Sequence, residues 1–185
     1  MKKISLLLVF VIMLTAFVGC ADNTDSETTT QPVSETQENI VTVSVNKDLV
    51  ADETEFLTGI SEIDGITSTA DANFYVLKMS QETYAELLDV KKKVVIDEFE
   101  KISSEISYIE KIDYNEHFRE INIYVDRQGY DAADYNARQL NVLTIGATAM
   151  GKYQMFLTKG QKTFVKVLYS DTGETAYTMQ LPIQM

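Results

Sequence analysis

From Ile40 onward the spacing of apolar positions changes several times, and each change marks an element. "IVTVSVN" (40–46) sets Val41, Val43 and Val45 against Ile40, Thr42 and Ser44, the two-residue period of a half-buried strand. "NFYVLKMS" (73–80) predicts a second strand from its aromatic and aliphatic content. Residues 47–71, between them, keep no clear period, and Asp64-Gly65 marks a turn. At Ser80 the period lengthens. Tyr84, Leu87, Leu88, Val94, Val95, Phe99, Ile102 and Ile106 fall on one helical stripe, with Lys92, Lys93, Asp97, Glu100 and Lys101 opposite. Ser80 is placed to cap this helix, and Glu82 lies in its first turn, where the helix dipole favours negative charge. Lys91–Lys93 reads as its solvated shoulder.

In the second half, "YIEKIDY" (108–114) and "REINIYVD" (119–126) alternate and are joined by Asn115–Phe118, which predicts a hairpin. Asp131 is placed to cap a second long helix to about Thr158, with Gly160 as its stop. "KTFVKVLYS" and "ETAYTMQLP" flank Asp171-Thr172-Gly173 as a further hairpin. A helix followed by a hairpin therefore occurs twice (81–126 and 131–182), without a residue-level repeat. The fold class that follows is α+β: a two-layer sandwich, with an antiparallel sheet of hairpins covered by two long amphipathic helices.

This domain spans 40–185, and two different segments precede it. Residues 1–19 open with Lys2 and Lys3 and continue as an uncharged, mostly apolar run from Ile4 to Val18. That run is shorter than the ~20 residues of a membrane-spanning helix, so it reads as an export signal. Residues 20–39 consist of Cys20 and a tether, "ADNTDSETTTQPVSETQEN", with no aromatic or basic residue and one large aliphatic, Val33. Such a segment buries too little apolar surface to offset its ordering entropy, and as a flexible coil it reaches roughly 25 Å. Cys20 is the single cysteine, which excludes an intramolecular disulfide and a cysteine-based metal site.

The net charge of −12 becomes −14 without the signal, which removes Lys2 and Lys3 and no acidic residue. Phosphate binding needs a basic footprint, so the charge argues against nucleic acid, and adsorption to anionic headgroups is disfavoured for the same reason. Two motifs invite chemistry and do not support it. "IGATAMGKY" (145–153) satisfies Gly-x-x-x-x-Gly-Lys, but Tyr153 stands where a nucleotide site needs a serine or threonine. Ala137, Leu140, Leu143 or Thr144, Ala147, Met150, Gly151 or Gln154, and Leu157 carry a helical stripe through both glycines, whose small size suits close approach to a sheet. Asp171-Thr172-Gly173 matches one aspartic-protease loop, but a paired carboxylate needs two, and the tripeptide also suits a tight turn.

His117 is the single histidine. With Asp113, Glu116 and Glu120 nearby in sequence it is a candidate acid/base or ligand contact, and Asp126, Asp131 and Asp134 are candidate contacts for a hard cation. None has the spacing of a known metal motif, so neither a metal nor another cofactor is expected. Tyr114, Tyr124, Tyr169 and Tyr177 recur along strands, and a shared face would suit a peptide or glycan.

Phe17-Val18-Gly19-Cys20 resembles the lipobox of bacterial lipoproteins, with Phe17 where leucine is usual. That resemblance implies cleavage before Cys20 and a diacylglycerol on its sulfur, hence a membrane-anchored domain outside the cytoplasm. "REINIYVD", "GKYQMFLTKG" and "KTFVKVLYSDTGETAY" resemble a loose group of uncharacterised surface lipoproteins of Gram-positive bacteria, as does "FYVLKMSQETYAELL". The resemblance implies export and tethering and brings no catalytic residue. The expectation is a lipid-anchored, non-enzymatic binding domain whose partner is an envelope protein, peptide or glycan. The alternatives are an envelope enzyme or enzyme inhibitor using His117 and the carboxylates, and a structural accessory subunit.

Overall fold

The computed structural model describes residues 39–159 and 162–182; the signal segment, Cys20, most of the tether and Gly160 lie outside the described residues. Strand β1 (Ile40–Asn46) has the expected alternation, with Val43 and Val45 buried and Thr42 and Ser44 exposed. It pairs antiparallel with β3 (Phe74–Ser80), whose other edge takes β2 (Thr67–Ala70), giving a sheet of order β1-β3-β2. The stretch without a clear period contains helix α1 (Glu53–Ser61), capped by Asp52, which accepts from the Glu55 amide at 2.9 Å. Phe56, Leu57 and Ile60 form its apolar face against the core of this sheet, a stripe confined to five of its nine residues and so too short to stand out in sequence. Gly65 makes the following turn at φ 84°, a conformation open to glycine without strain.

Helix α2 (Gln81–Glu105) starts where its cap predicts, with the Thr83 amide donating to Ser80 Oγ at 3.1 Å. Its stripe serves two cores. Leu87 packs with Val43, Val45, Leu77 and Met79 of the first sheet. Val95 and Phe99 pack against a second sheet.

That second sheet has the order β4-β5-β6-β7, built from β4 (Ile109–Tyr114), β5 (Glu120–Val125), β6 (Thr163–Tyr169) and β7 (Thr175–Leu181). Both predicted hairpins are present, and the class is α+β. The arrangement differs in two respects. The strands form two sheets, and the β5–β6 pair at the centre of the larger one is parallel, with Ile121 opposite Val165 and Ile123 opposite Val167. The reason is the connection: the chain leaves β5 and returns through helices to enter β6 in the same direction, as parallel strands require.

The second long helix is also divided. Asp126 caps α3 (Arg127–Ala132), its carboxylate accepting from the Gly129 amide at 2.6 Å. Asp134 caps α4 (Tyr135–Lys152), accepting from the amides of Asn136 and Ala137 at 3.0 Å. Asp131 lies inside α3 and caps neither. Three aspartates within nine residues offer three starts, and the one nearest the apolar stripe begins the longer helix. After Lys152 a 3-10 turn at Gln154–Phe156 carries Met155 and Phe156 into the first core.

Candidate functional site

Helix α4 runs unbroken through Gly146–Gly151, so "IGATAMGKY" forms no phosphate-binding loop. Its small residues divide between two faces. Gly146 and Ala149 are buried against the second sheet. Thr144, Ala147, Thr148 and Gly151 instead line an open groove of about 1220 Å³. The groove's opposite wall is α1 with the segment before it, through Asp52, Glu55, Phe56, Thr58, Gly59 and Glu62. Its floor is apolar, from Val94 of α2, Leu143 of α4, and Met155 and Phe156 of the 3-10 turn. Val94, expected on the buried stripe, is 36 % exposed because it belongs to this floor.

Of the two glycines that line the groove, one faces open space and the other faces a lysine. A methyl group at Gly151 would meet no atom within 4 Å, and one at Gly59 would meet only Lys91 Nζ, at 3.5 Å. Lys91 is therefore not a solvated shoulder. Its ammonium sits 5.3 Å from the centre of the Phe156 ring, and burial pulls its pKa below the usual 10.5 despite the nearby carboxylates of Glu62 and Glu55. Lys152, the second lysine of the groove, is 3.4 Å from Glu98. Among the described residues neither histidine nor cysteine lines the groove, whose groups suit contact, hydrogen bonding and charge pairing.

The residues singled out from sequence lie elsewhere. His117 precedes β5 and Asp126 follows it, so a six-residue strand of ~20 Å separates the two. His117 Nδ1 lies 3.0 Å from the hydroxyl of buried Tyr153, and burial raises the pKa of that phenol. Asp126 and Asp134 are engaged as helix caps. Asp131 accepts from the Tyr169 hydroxyl at 2.8 Å and lies 3.8 Å from the Arg138 guanidinium. Among the described residues no three histidine, cysteine or acidic side chains gather as a metal would require.

Asp171 belongs to the β6–β7 turn, where Gly173 has φ 72°. It is held 3.3 Å from Arg127, which lowers its pKa and also binds Glu174 at 3.1 Å. The four tyrosines do not share a face. In cross-strand register Tyr114 stands opposite Ile121 and Tyr177 opposite Val167, so both point toward the helices, and Tyr169 packs there too. Tyr124 alternates to the other side, since its strand neighbours Ile123 and Val125 are the buried ones.

The groove was not legible as a site. Thr144, Ala147, Thr148 and Gly151 recur at helical spacing, but their wall partners come from a segment nearly a hundred residues earlier, which only folding brings near. No family model matches this chain, and no curated protein or solved structure matches it either.

Proposed function

We propose that this chain is a lipid-anchored, extracytoplasmic binding domain that receives its ligand in the groove between α1 and α4 and performs no covalent chemistry on it. The observation that carries the binding assignment is the groove itself. It is large, open along its length, floored by apolar side chains, and edged by charge from both walls. On the α4 side Gly151 leaves it open, a position where a larger side chain would have space and yet none is present. The anchoring half of the proposal rests on the apolar run Ile4–Val18 ending at Cys20, with the acidic tether behind it.

Two experiments test the halves separately. In cells fed a radiolabelled fatty acid, the full chain should incorporate label and Cys20→Ala should not; equal labelling of both would remove the anchor. For the groove, an apolar fluorescent dye should bind the full chain, and Gly151→Leu should weaken that binding without lowering thermal stability. Dye binding unaffected by Gly151→Leu would remove the groove as the site.

A further inference from the structure

The edges of the two sheets are not equally protected. Strands β4 and β7 end the larger sheet, and β1 and β2 end the smaller one. An open edge presents unpaired N–H and C=O groups to any other strand, and folds blunt it with charge, shortness or a covering segment. β4 carries Glu110, Lys111 and Asp113 among its six residues. β2 has only four residues, and the 3-10 turn Gln154–Phe156 lies beside β1. β7 has none of these devices. It is seven residues long without a charged side chain, "TAYTMQL", and among the described residues no backbone hydrogen bond reaches it except from β6.

We propose that β7 is an interface between two copies of this chain. It pairs antiparallel with β7 of the second copy about a twofold axis at Thr178, joining two four-stranded sheets into one. The strand is self-complementary in that register. With the axis at its middle residue all seven positions are paired, and Tyr177 and Met179 of one copy stand opposite Met179 and Tyr177 of the other. Both side chains pack on the helix side yet remain half-buried, because no strand continues the sheet beyond them. The second copy covers them, and a thioether beside an aromatic ring is a favourable contact. A register one residue away would set inward side chains opposite outward ones, and a slip of two would leave strand ends unpaired.

Charge permits the copies to meet here. The net charge of −12 makes them repel over most of their surface, whereas β7 is neutral. Glu174, just before the strand, is held by Arg127 at 3.1 Å. The one charge on the adjoining strand is Lys166, opposite Thr178. Three strand spacings, ~14 Å, would separate the two lysines, beyond the ~10 Å over which exposed charges act at ~0.1 M salt. β7 does not line the groove, so the pairing is independent of what the groove binds.

The full chain carrying Cys20→Ala, in which an introduced thiol is the only one, serves for the test. In this background Thr178→Cys should be joined to its counterpart by a short bifunctional thiol reagent and run as a dimer on a denaturing gel. Thr175→Cys should not, because the two copies of that residue lie ~20 Å apart along the paired strands. In sedimentation with excess detergent the full chain should dimerise. Thr178→Lys/Gln180→Lys, at two exposed sites, should raise the dissociation constant about tenfold or more while still melting cooperatively.

Equal joining at Thr178 and Thr175, or none at either, overturns the pairing, as does a dimer that the lysine pair leaves unchanged. A chain that stays monomeric at every concentration overturns it too. Joining of Thr178→Cys to a different polypeptide would put a partner's strand in place of the second copy and overturn the twofold dimer. Should the lysine pair fail to fold, the two cysteine variants decide alone.

Discussion

Gly146 of α4 lies directly over Leu181 of β7: a methyl group on its α-carbon would run into Leu181 Cδ1 and stand 3.1 Å from Val165 Cγ2. Five residues along the same helix, Gly151 faces the open groove. The two glycines therefore respond oppositely to the same change. Gly146→Ala overpacks a buried contact and should cost about 1–3 kcal/mol. Gly151→Ala exchanges a poor helix former for the best one without a clash and should stabilise by up to ~1 kcal/mol. Thermal melts would show this as shifts of opposite sign, about 2–4 °C per kcal/mol for a domain of this size. Destabilisation by both would mean that Gly151 is not open.

The aspartates of the α3–α4 region can be separated by their structural roles. Asp126→Ala and Asp134→Ala each leave first-turn amides without an acceptor and should cost about 0.5–2 kcal/mol. Asp131 is exposed and holds Tyr169 and Arg138 from the surface, so Asp131→Ala should cost less, under about 1 kcal/mol. Urea unfolding gives the ranking, and a cation present in excess should raise the stability of none of the variants or of the parent. A calcium-dependent stabilisation lost in Asp131→Ala would restore the cation site considered from sequence.

His117 is tied to Tyr153 by one side-chain contact and to Gln154 by its backbone carbonyl, which accepts from Nε2 at 3.0 Å. Replacing the imidazole removes only the first. His117→Ala should therefore cost about 0.5–1.5 kcal/mol and leave binding in the groove unchanged. A larger loss of binding than of stability would mark His117 as part of a working site, as the enzyme alternative requires.

Acid sensitivity follows from two surface carboxylates. The amides of Asn73 and Phe74 donate to Asp71 at 2.8 Å and 2.7 Å, holding its pKa below the usual 3.8, and Arg127 does the same for Asp171. For both groups the folded pKa is lower than the unfolded one. As pH falls below 3.8 the unfolded chain takes up protons first, so their stabilisation is present above that value and is lost through the lower folded pKa. Asp71→Asn/Asp171→Asn should unfold at lower urea at neutral pH and show a flatter decline below 3.8. An unchanged slope in that range would assign the acid sensitivity to other groups.

Much of the fold was legible because its signals are local. The alternation of Val43 and Val45, the cap at Ser80 and the turns at Gly65 and Gly173 depend on residues close in sequence, and each appears where the sequence predicts it. The His117 and aspartate candidates were legible only as residue types. What those side chains do depends on distant partners such as Tyr153, Tyr169 and Arg138, or on which of three nearby caps begins a helix.

The amino-acid sequence by itself determined the α+β class, the long helix from Ser80 and the two C-terminal hairpins, because hydrophobic period and capping act within a few residues. Only the tertiary structure decided that the strands divide into two sheets, that β5 and β6 run parallel, and that α4 has two different small-residue faces. Gly146 and Gly151 stand about 140° apart around the helix at 100° per residue. That turn places one against Leu181 and the other in the open groove, and nothing in the helix's own sequence says which surroundings each will meet.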